Sequence, residues 1–279
     1  MDGQACPMAK MEKLLVATDA STYSENAVKE AILLAKKCSS RLFAVSVVIT
    51  NLEFEVTMPQ IVEKEDKKAR EHLEAVKAQA SKEGIDCDIM VIHGDDPYQD
   101  IVRQALENHV DMIIMGRHGR TGLLRLMMGS VAAKVIGHAP CNVLVVSPTA
   151  TTELKNVLVA TDGSRYSHAA VCEAIGIAKR CNSSLVALSV ASADAESKAA
   201  EDIVRNAVGF VVKEGFKAEG TTTVGKPYEA IVETAKQKHA DLIVIGSHGR
   251  RGLERLLMGS VTERVIGHSE TGVLVVKMR

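Results

Sequence analysis

The chain has 279 residues, of which 46% are apolar and 25% are charged, a composition typical of a globular protein long enough for two domains. Lys and Arg number 34 against 35 Asp and Glu, so the formal charge of -1 provides no overall field for a nucleic-acid backbone or an anionic membrane. The chain has no Trp and only four Tyr and four Phe. So few aromatic side chains also disfavour a stacking platform for single-stranded nucleic acid. We therefore expect no nucleic acid and no membrane as partners.

The first half of the chain alternates apolar strands with amphipathic helices. Strands are predicted from short apolar runs, and helices from apolar residues at helical spacing. In chain order the pattern predicts a strand at 13–18, a helix through 28–35, a strand at 42–48, a helix through 62–80, a strand at 86–93, a helix opened by Pro97, a strand at 112–115, a short helix at 131–137 and a last strand at 143–146. Ser21 and Ser24 are predicted as caps of the first helix.

The second half repeats the first. The segment VATDAS at 16–21 returns as VATDGS at 159–164, an offset of 143 residues. The segment at 116–131 returns at 246–261 with 12 of 16 positions identical, an offset of 130. The first half therefore carries 13 extra residues, which we expect around 50–60. The repeat predicts further strands at 156–161, 184–190, 217–224, 242–245 and 272–276.

This repeat predicts two tandem domains, at 11–148 and 153–279, joined by a small polar segment with a proline. Strands that alternate with helices indicate a parallel sheet with helices on both faces. The fold class is therefore α/β, with two doubly wound, Rossmann-like domains of five strands each. We expect the two domains to pack as a pseudo-dimer within the chain. Ligands of such domains bind beyond the carboxyl ends of the strands.

Localisation signals are sparse. The first ten residues contain no apolar h-region, so no secretory signal is predicted. The six cysteines form no C-x-x-C motif, and we interpret them as reduced thiols of a cytoplasmic protein. His138 and Cys141 are close enough in sequence for a zinc site. The matching stretch of the second half has His268 but no Cys, so we predict no metal site.

A glycine pattern, G-x2-G-x9-G-S, follows one strand in each half. Glycines after a strand let the backbone approach a ligand closely, and a helix N-terminus that follows suits a phosphate. The pattern predicts a phosphate site in each half, with Ser130 and Ser260 as hydroxyl donors or helix caps. Arginines near the two loops can add positive charge: Arg117, Arg120, Arg125, Arg250, Arg251 and Arg255. The alternative is that these glycines only shape a loop.

The common phosphate motifs are absent, since neither loop has the Lys of a Walker motif or the G-x-G-x-x-G dinucleotide pattern. Together with the early Thr-Asp and the final Val-Leu-Val-Val of each half, the glycine pattern resembles the universal stress protein family, here as two fused domains. The resemblance covers nearly everything from residue 11 onward. It implies a five-stranded parallel fold of the adenine nucleotide alpha hydrolase type, and a last strand that pairs domains edge to edge.

The resemblance also implies ATP, ADP or AMP as ligand, together with Mg²⁺. Carried across by position, the adenosine lies near Ala17, Asp19 and Val47 in the first copy and near Ala160, Asp162 and Val190 in the second. The phosphates meet Gly116, Gly119, Gly129, Ser130 and Val131 in the first copy, and Gly246, Gly249, Gly259, Ser260 and Val261 in the second. Arg117 is counted with the first site for the charge that it adds to the loop. Many relatives have His where Ser46 and Ser189 stand, a change that alters packing near the adenine without removing the site. Many also have Pro before the last strand, where Asn142 and Gly272 stand, and this change puts little in doubt.

Individual site residues also have plainer interpretations. Asp19 and Asp162 contact the adenosine or a phosphate-bound Mg²⁺ through water, or they cap the helix that follows. His118 and His248 lie inside the glycine loops, where they are expected to face solvent, the alternative being that they contact phosphate. Met127, Met128, Leu257 and Met258 are expected to pack rather than to hold a cofactor.

The sequence contains no Ser-His-Asp order and no paired carboxylates that would point to a committed hydrolase. No catalytic residue is therefore assigned. The leading hypothesis is an ATP-binding stress-response protein with two similar sites, whose nucleotide occupancy changes the binding of an unknown protein partner. The alternatives are a slow ATPase and an assembly scaffold that binds no nucleotide. A homodimer of the tandem chain also stays open.

Overall fold

The computed structural model describes residues 6, 9–119, 128–250 and 258–278. The chain divides into two compact units, the first unit being Met11–Thr149 and the second unit being Met1–Lys10 with Ala150–Arg279. The division after Thr149 falls within the polar segment that separates the two sequence repeats. Within the described residues, no helix combines the length and the apolar character needed to cross a bilayer.

Strands and helices alternate through the first unit. Its strands are β1 (Lys13–Ala17), β2 (Arg41–Ile49), β3 (Cys87–Gly94), β4 (Met112–Gly116) and β5 (Asn142–Val146). Its helices are α1 (Thr22–Cys38), α2 (Leu52–Thr57), α3 (Pro59–Lys82), α4 (Pro97–Glu107) and α5 (Ser130–His138). The strands pair in parallel in the order β3-β2-β1-β4-β5. The predicted doubly wound α/β fold is confirmed for this unit.

The second unit repeats this arrangement. Its strands are β6 (Asn156–Ala160), β7 (Ser184–Ala191), β8 (Ala218–Val224), β9 (Leu242–Gly246) and β10 (Gly272–Val276). Its helices are α6 (Arg165–Cys181), α7 (Ser197–Lys213), α8 (Pro227–Gln237) and α9 (Ser260–His268), with a short 3-10 turn at Asp194–Glu196. The parallel order is β8-β7-β6-β9-β10. Every strand predicted from the sequence is present, with ends shifted by one residue at most.

The core of each unit lies along its central strands. Every residue of β4, β5, β9 and β10 is buried. Helices cover both faces of a parallel sheet, so neither face of these strands is exposed to solvent. Leu14 and Ile113 on neighbouring strands are 0% exposed. Each such side chain contributes about 1.5–3 kcal/mol of transfer free energy to folding. The apolar runs at the repeated positions therefore account for the central strands of both units.

The extra residues of the first unit lie where they were expected, after β2. They form α2 and lengthen the following helix, since α3 has 24 residues and its counterpart α7 has 17. The Asn51 side chain caps α2 by accepting a hydrogen bond from Phe54 N at 2.8 Å. Helix α2 was not predicted, because the apolar residues of its sequence LEFEVT alternate with polar ones, which is the pattern of a strand. Leu52 and Val56 are 82% and 80% exposed.

Strand order fixes where a ligand site can form. In the first unit the order reverses between β1 and β4, and in the second unit it reverses between β6 and β9. A crevice opens at such a switch point, beyond the carboxyl ends of the strands. Ala17 and Gly116 end the two switch-point strands of the first unit, and Ala160 and Gly246 end those of the second. The residues predicted to bind a ligand therefore lie where this topology forms a crevice.

Candidate functional site

A cavity of about 390 Å³ opens at the carboxyl ends of β1, β2 and β4 in the first unit. Its volume falls in the range of about 300–1,000 Å³ that is typical of small-molecule sites. The lining includes every residue predicted for the first site: Ala17, Asp19, Val47, Gly116, Arg117, Gly119, Gly129, Ser130 and Val131. The fold thus brings segments that are far apart in the sequence, such as those of Ala17 and Gly116, to one crevice.

Several lining residues were not anticipated from the sequence. Apolar side chains from β2, β4 and α4 form one wall, to which Val45, Val48, Ile49, Ile101 and Met115 contribute. The polar lining adds Thr18, Ser24 and Glu65, together with His118, for which a phosphate contact was the alternative interpretation. Thr18 and Ser24 could have been found from the sequence, because they recur in the second half as Thr161 and Ser167. The offset is 143 residues, the same as between Asp19 and Asp162.

Gly116 at the end of β4 and Gly119 in the loop that follows allow a close approach. A Cβ at Gly116 would lie 2.8 Å from the backbone oxygen of Tyr23, and a Cβ at Gly119 would lie 2.8 Å from Asp19 Oδ2. Both contacts are with protein atoms. The glycines therefore let this segment lie directly against Asp19 and the start of α1, which supports the loop-shaping interpretation.

The N-terminus of α5 forms another side of the cavity. Gly129 is its N-cap residue, with an extended backbone, and its N–H donates to Arg117 O at 2.9 Å. Ser130 is the first helical residue, so the expectation that it caps the helix is wrong; it is exposed instead. The first N–H groups of a helix have no intrahelical acceptor. Ser130, Val131 and Ala132 present this turn to the cavity.

Asp19 braces the start of α1. Its Oδ1 accepts hydrogen bonds from Ser21 N at 3.1 Å, Ser21 Oγ at 2.6 Å and Ser24 Oγ at 2.8 Å. Ser21 is the N-cap residue but makes no side-chain cap bond, and Ser24 donates to Asp19 instead of capping. Asp19 therefore holds the turn that leads into α1 but is not the cap of the helix, because Ser21 is the N-cap residue and the bonds of Asp19 Oδ1 are to Ser21 and to the Ser24 hydroxyl.

Asp162 holds the corresponding loop in the second unit. Its Oδ1 accepts from Ser164 N at 2.9 Å and its Oδ2 accepts from Arg250 N at 2.8 Å, while a Cβ at Gly249 would lie 2.8 Å from Oδ2. Burial raises the pKa of the Asp162 carboxyl, but the hydrogen bonds from Ser164, Arg250 and Ser167 outweigh it, and the net pKa is lowered. The ionised carboxylate therefore ties α6 to the glycine loop.

A pH-dependent stability follows from this lowered pKa. A carboxyl with a folded-state pKa below its unfolded value of about 3.9 stabilises the fold above that pH and loses this contribution as pH falls through the folded pKa. We expect Asp162→Asn to lower the free energy of unfolding by about 2 kcal/mol at pH 7, and by much less at pH 3. Urea denaturation of both proteins at several pH values measures the difference.

The matched control for this substitution is Asp202→Asn. Asp202 forms a 2.8 Å ion pair with Arg205 in which the two side chains are 51% and 74% exposed. Such a surface pair contributes about 0–1 kcal/mol, so this variant should stay close to the wild type at every pH. If Asp162→Asn lost the same free energy of unfolding at pH 7 and at pH 3, the stabilisation could not come from the ionised Asp162 carboxylate.

A cavity of about 350 Å³ in the second unit lies over the start of α6. Its lining is Ser164, Arg165, Tyr166, Gly249 and Arg250. Of the residues predicted for the second site it contains Gly249, while Ala160, Asp162, Val190, Gly246, Gly259, Ser260 and Val261 lie outside its lining. Gly259 is nevertheless near Gly249, because a Cβ on Gly259 would lie 3.7 Å from Gly249 N. The two units thus share the loop geometry but differ in the shape of the cavity.

The predicted cations and loop histidines have mixed outcomes. Arg117 lines the first cavity and Arg250 the second. The other predicted residues of the two loops lie outside the described residues: Arg120, Arg125, Arg251, Arg255, Met127 and Leu257.

His118 and His248 are half-buried rather than facing solvent. Their rings contact Tyr23 and Tyr166 at centroid distances of 6.1 and 5.2 Å. The tyrosine at the start of each first helix therefore packs against the glycine loop.

One difference between the units lies just behind Asp19 and Asp162. In the first unit His72 Nε2 lies 2.9 Å from Thr18 Oγ1, which also contacts Ser24 Oγ at 3.0 Å. Burial lowers the pKa of His72, although Asp19 and Glu25 act in the opposite direction. The hydrogen-bonded chain His72–Thr18–Ser24–Asp19 thus connects α3 to the cavity.

In the second unit α7 supplies Ile203 near the corresponding place. A Cβ on Gly163 would lie 3.3 Å from Ile203 Cγ1 and 3.2 Å from Arg250 Nη2. The pair Thr161 and Ser167 is kept, with a 3.1 Å hydrogen bond between the hydroxyls. An apolar side chain and a guanidinium therefore occupy the region where the first unit has an imidazole.

Comparison with known proteins gives the family. The model of the universal stress protein family matches residues 10–147 and again residues 153–277. The chain belongs to the universal stress protein family. It carries two copies of the family domain, as the resemblance in the sequence implied.

Relatives of this universal stress protein come from archaea and bacteria. A universal stress protein of Methanocaldococcus jannaschii is 36% identical over 139 residues, which cover 48% of this chain and 81% of that protein. One of Mycolicibacterium smegmatis is 27% identical over 295 aligned residues, covering 95% of this chain and 97% of that protein. The crystal structure of one from Archaeoglobus fulgidus matches 96% of this chain with a TM-score of 0.79 at 24% identity, a likeness that concerns the fold.

Proposed function

We propose that this universal stress protein binds ATP with Mg²⁺ at the carboxyl ends of its strands, with one site in each unit. ADP and AMP are ligands of the same sites. Nucleotide occupancy then changes the affinity of the chain for a protein partner. This coupling requires that the partner bind the nucleotide-bound and the nucleotide-free chain with different affinities. The role is regulatory, in the response to stress that gives the family its name.

The 390 Å³ cavity of the first unit is the observation that carries this proposal. It combines an apolar wall, suited to a flat base, with a helix N-terminus, suited to a phosphate. The wall is formed by side chains such as Val47 and Met115, and the helix turn by Ser130 and Val131. A ligand with an aromatic base at one end and phosphates at the other matches both ends of this cavity.

Magnesium fits this site as a companion of the phosphates. Within the residues that the structure describes, no three or more His, Cys, Asp and Glu side chains are grouped to hold a metal. Mg²⁺ commonly keeps several waters and binds through one or two carboxylates and the phosphates of its ligand. Asp19 Oδ1 already accepts three hydrogen bonds from Ser21 and Ser24, so any contact of Asp19 with Mg²⁺ would run through its other oxygen or through water.

The test is the number of nucleotides per chain. The purified protein is denatured, and any released nucleotide is identified by chromatography and mass spectrometry. The nucleotide-free protein is then titrated with Mg-ATP by calorimetry. Two equivalents per chain support two sites. One equivalent contradicts the second site, and a silent titration together with no copurified nucleotide overturns the proposal in favour of the scaffold.

A further inference from the structure

A chain of hydrogen bonds runs from α3 to the cavity of the first unit. His72 Nε2 lies 2.9 Å from Thr18 Oγ1, which lies 3.0 Å from Ser24 Oγ. The Ser24 hydroxyl donates to Asp19 Oδ1 at 2.8 Å. Thr18 and Ser24 are only 5% and 3% exposed, and both line the cavity together with Asp19. His72 itself lies behind this lining, so the chain joins a titratable ring to three residues of the cavity wall.

Protonation of His72 gives this chain a single direction. An imidazolium carries a hydrogen on each ring nitrogen, so Nε2 can only donate, and Thr18 Oγ1 must accept. The Thr18 hydroxyl then donates to Ser24 Oγ, and the Ser24 hydroxyl donates to Asp19 Oδ1. A neutral ring can instead hold its hydrogen on Nδ1 and accept from Thr18, which leaves Ser24 without that donor. The protonated form of His72 therefore supports the Asp19 carboxylate through hydrogens that all point towards it.

Two carboxylates act on His72. Asp19, in the turn before α1, and Glu25, on α1, both favour the protonated ring, whereas burial lowers the pKa of His72 and favours the neutral ring. Helix α3 also packs against α2, β2 and β3. The charged groups of these elements are exposed or paired elsewhere: Glu53 and Glu55 on α2, Arg41 of β2 with Asp88 of β3, His93 of β3 with Asp66 of α3, and Lys68 with Glu65 along α3 itself. The protonation of His72 is thus balanced between burial and the carboxylates of Asp19 and Glu25.

The described lining of the first cavity offers little positive charge to an anionic ligand. Asp19 and Glu65 are negative, and Arg117 is positive. A nucleotide brings several further negative charges to this cavity, and a negative charge close to an imidazole favours its protonated form. Because His72 is half-buried, solvent screens this attraction less than it would at the surface. A proton on His72 therefore offsets part of the negative charge that the ligand adds.

We propose that His72 takes up a proton when a nucleotide fills the cavity of the first unit, so that this unit binds nucleotide more tightly in acid. The inference rests on the nucleotide binding proposed above and adds its regulation. Nucleotide and proton then strengthen each other's binding by the same factor, because linkage is reciprocal. The second unit has Ile203 near the corresponding place, and its Arg250 guanidinium stays charged at every physiological pH. One site of the chain thus responds to pH, and the other does not.

The sign of this pH dependence follows from the pKa of His72. In the free protein, burial holds this pKa below its ordinary value of 6.5, so the ring is mostly neutral above pH 7. A ligand that binds the protonated form more tightly raises this pKa. For a rise of about one unit, the affinity of the first unit increases about tenfold as the pH falls from about 7.5 to about 5. The increase stops once His72 is protonated in the free protein as well.

Calorimetry in buffers of different ionisation enthalpy counts the protons that accompany binding. The full chain is titrated with Mg-ATP at several pH values between about 5 and 8. We expect the wild type to take up at most about half a proton more per chain than His72→Gln, for a pKa rise of about one unit. Glutamine keeps a hydrogen-bonding group for Thr18 but does not titrate. Protonation of the nucleotide itself is common to both proteins and cancels in the comparison.

The matched control is His93→Gln, which should keep the wild-type uptake. The His93 ring is exposed, lies 2.8 Å from Asp66 and is not part of the cavity lining. His118 lines the cavity and is the competing proton acceptor. Uptake that persists in His72→Gln and disappears in His118→Gln overturns the proposal.

The wild-type chain provides a second measurement that does not depend on the stability of a variant. Nuclear magnetic resonance follows the titration of the His72 ring with and without saturating Mg-ATP, the His72→Gln spectrum serving only to assign its signals. We expect the pKa of His72 to be higher in the complex, and an unchanged pKa contradicts the proposal. Binding of Mg-ATP without proton uptake by His72 overturns this inference alone. A titration in which no Mg-ATP binds overturns the proposed function as well.

Discussion

Replacing Ser130 by aspartate should remove one of the two Mg-ATP equivalents that the chain binds. Ser130 is the exposed first residue of α5 and lines the cavity of the first unit. A carboxylate there stabilises the helix, because acidic residues are favourable in a first turn, so the fold should be retained. It repels a phosphate at the same place. We expect at least about a tenfold loss of affinity, which corresponds to about 1.4 kcal/mol.

The repeat supplies the controls for this titration. Ser260→Asp should remove the other equivalent, since Ser260 begins α9 as Ser130 begins α5, and the double variant should bind none. Ser130→Ala removes only a hydroxyl, which contributes about 1 kcal/mol when it donates a hydrogen bond, so its affinity should fall by less than tenfold. If Ser130→Asp binds two equivalents with wild-type affinity, the phosphates do not contact the start of α5.

Gly246→Ala should destabilise the second unit by about 1–3 kcal/mol, the usual cost of an overpacked site. A Cβ at this position would lie 2.8 Å from the backbone carbonyl atoms of Tyr166 and 3.0 Å from its Cβ. Backbone atoms at the start of α6 cannot move aside as the end of a long side chain can. The substitution therefore pushes the end of β9 away from α6. Chemical denaturation measures the loss in free energy of unfolding.

The same substitution at Gly209 should have the opposite sign. Gly209 is an exposed position inside α7, and a Cβ there would meet nothing within 4 Å. Alanine in a helix interior is more stable than glycine by about 0.5–1 kcal/mol. Gly209→Ala should therefore stabilise the unit that Gly246→Ala destabilises. A loss of similar size in both variants would show that the effect comes from the loss of glycine and not from the contact with Tyr166.

The fold could be predicted because its signal is local and occurs twice. Runs such as those of β4 and β9 are apolar throughout, as strands covered on both faces must be, and their repetition at a fixed offset excludes chance. Helix α2 was missed because its apolar residues are exposed and alternate with polar ones, as in a strand. The role of Ser130 as a cap was wrong because Gly129 already occupies that position in an extended conformation.

Tertiary contacts explain what the sequence left open at the site. The carboxylates of Asp19 and Asp162 lie against glycines about 90–100 positions further along the chain, and no local pattern predicts such a contact. His72 and Cys6 are further examples, since the His72 ring meets Thr18 Oγ1 and the Cys6 N–H meets Glu214 Oε2 only when distant segments come together. Thr18 and Ser24 are the exception, because aligning the two halves of the chain with each other is enough to single them out.

The duplication has a genetic consequence. In a homodimer of single-domain chains, every substitution appears in both sites at once, so neither can change alone. Here two stretches of one gene encode the two units, and mutations accumulate in each separately. One such divergence is His72 in one unit and Ile203 near the corresponding place in the other. Another is Arg117, whose matching position in the second repeat is Ser247. Selection can therefore retune one unit while the other keeps its original chemistry.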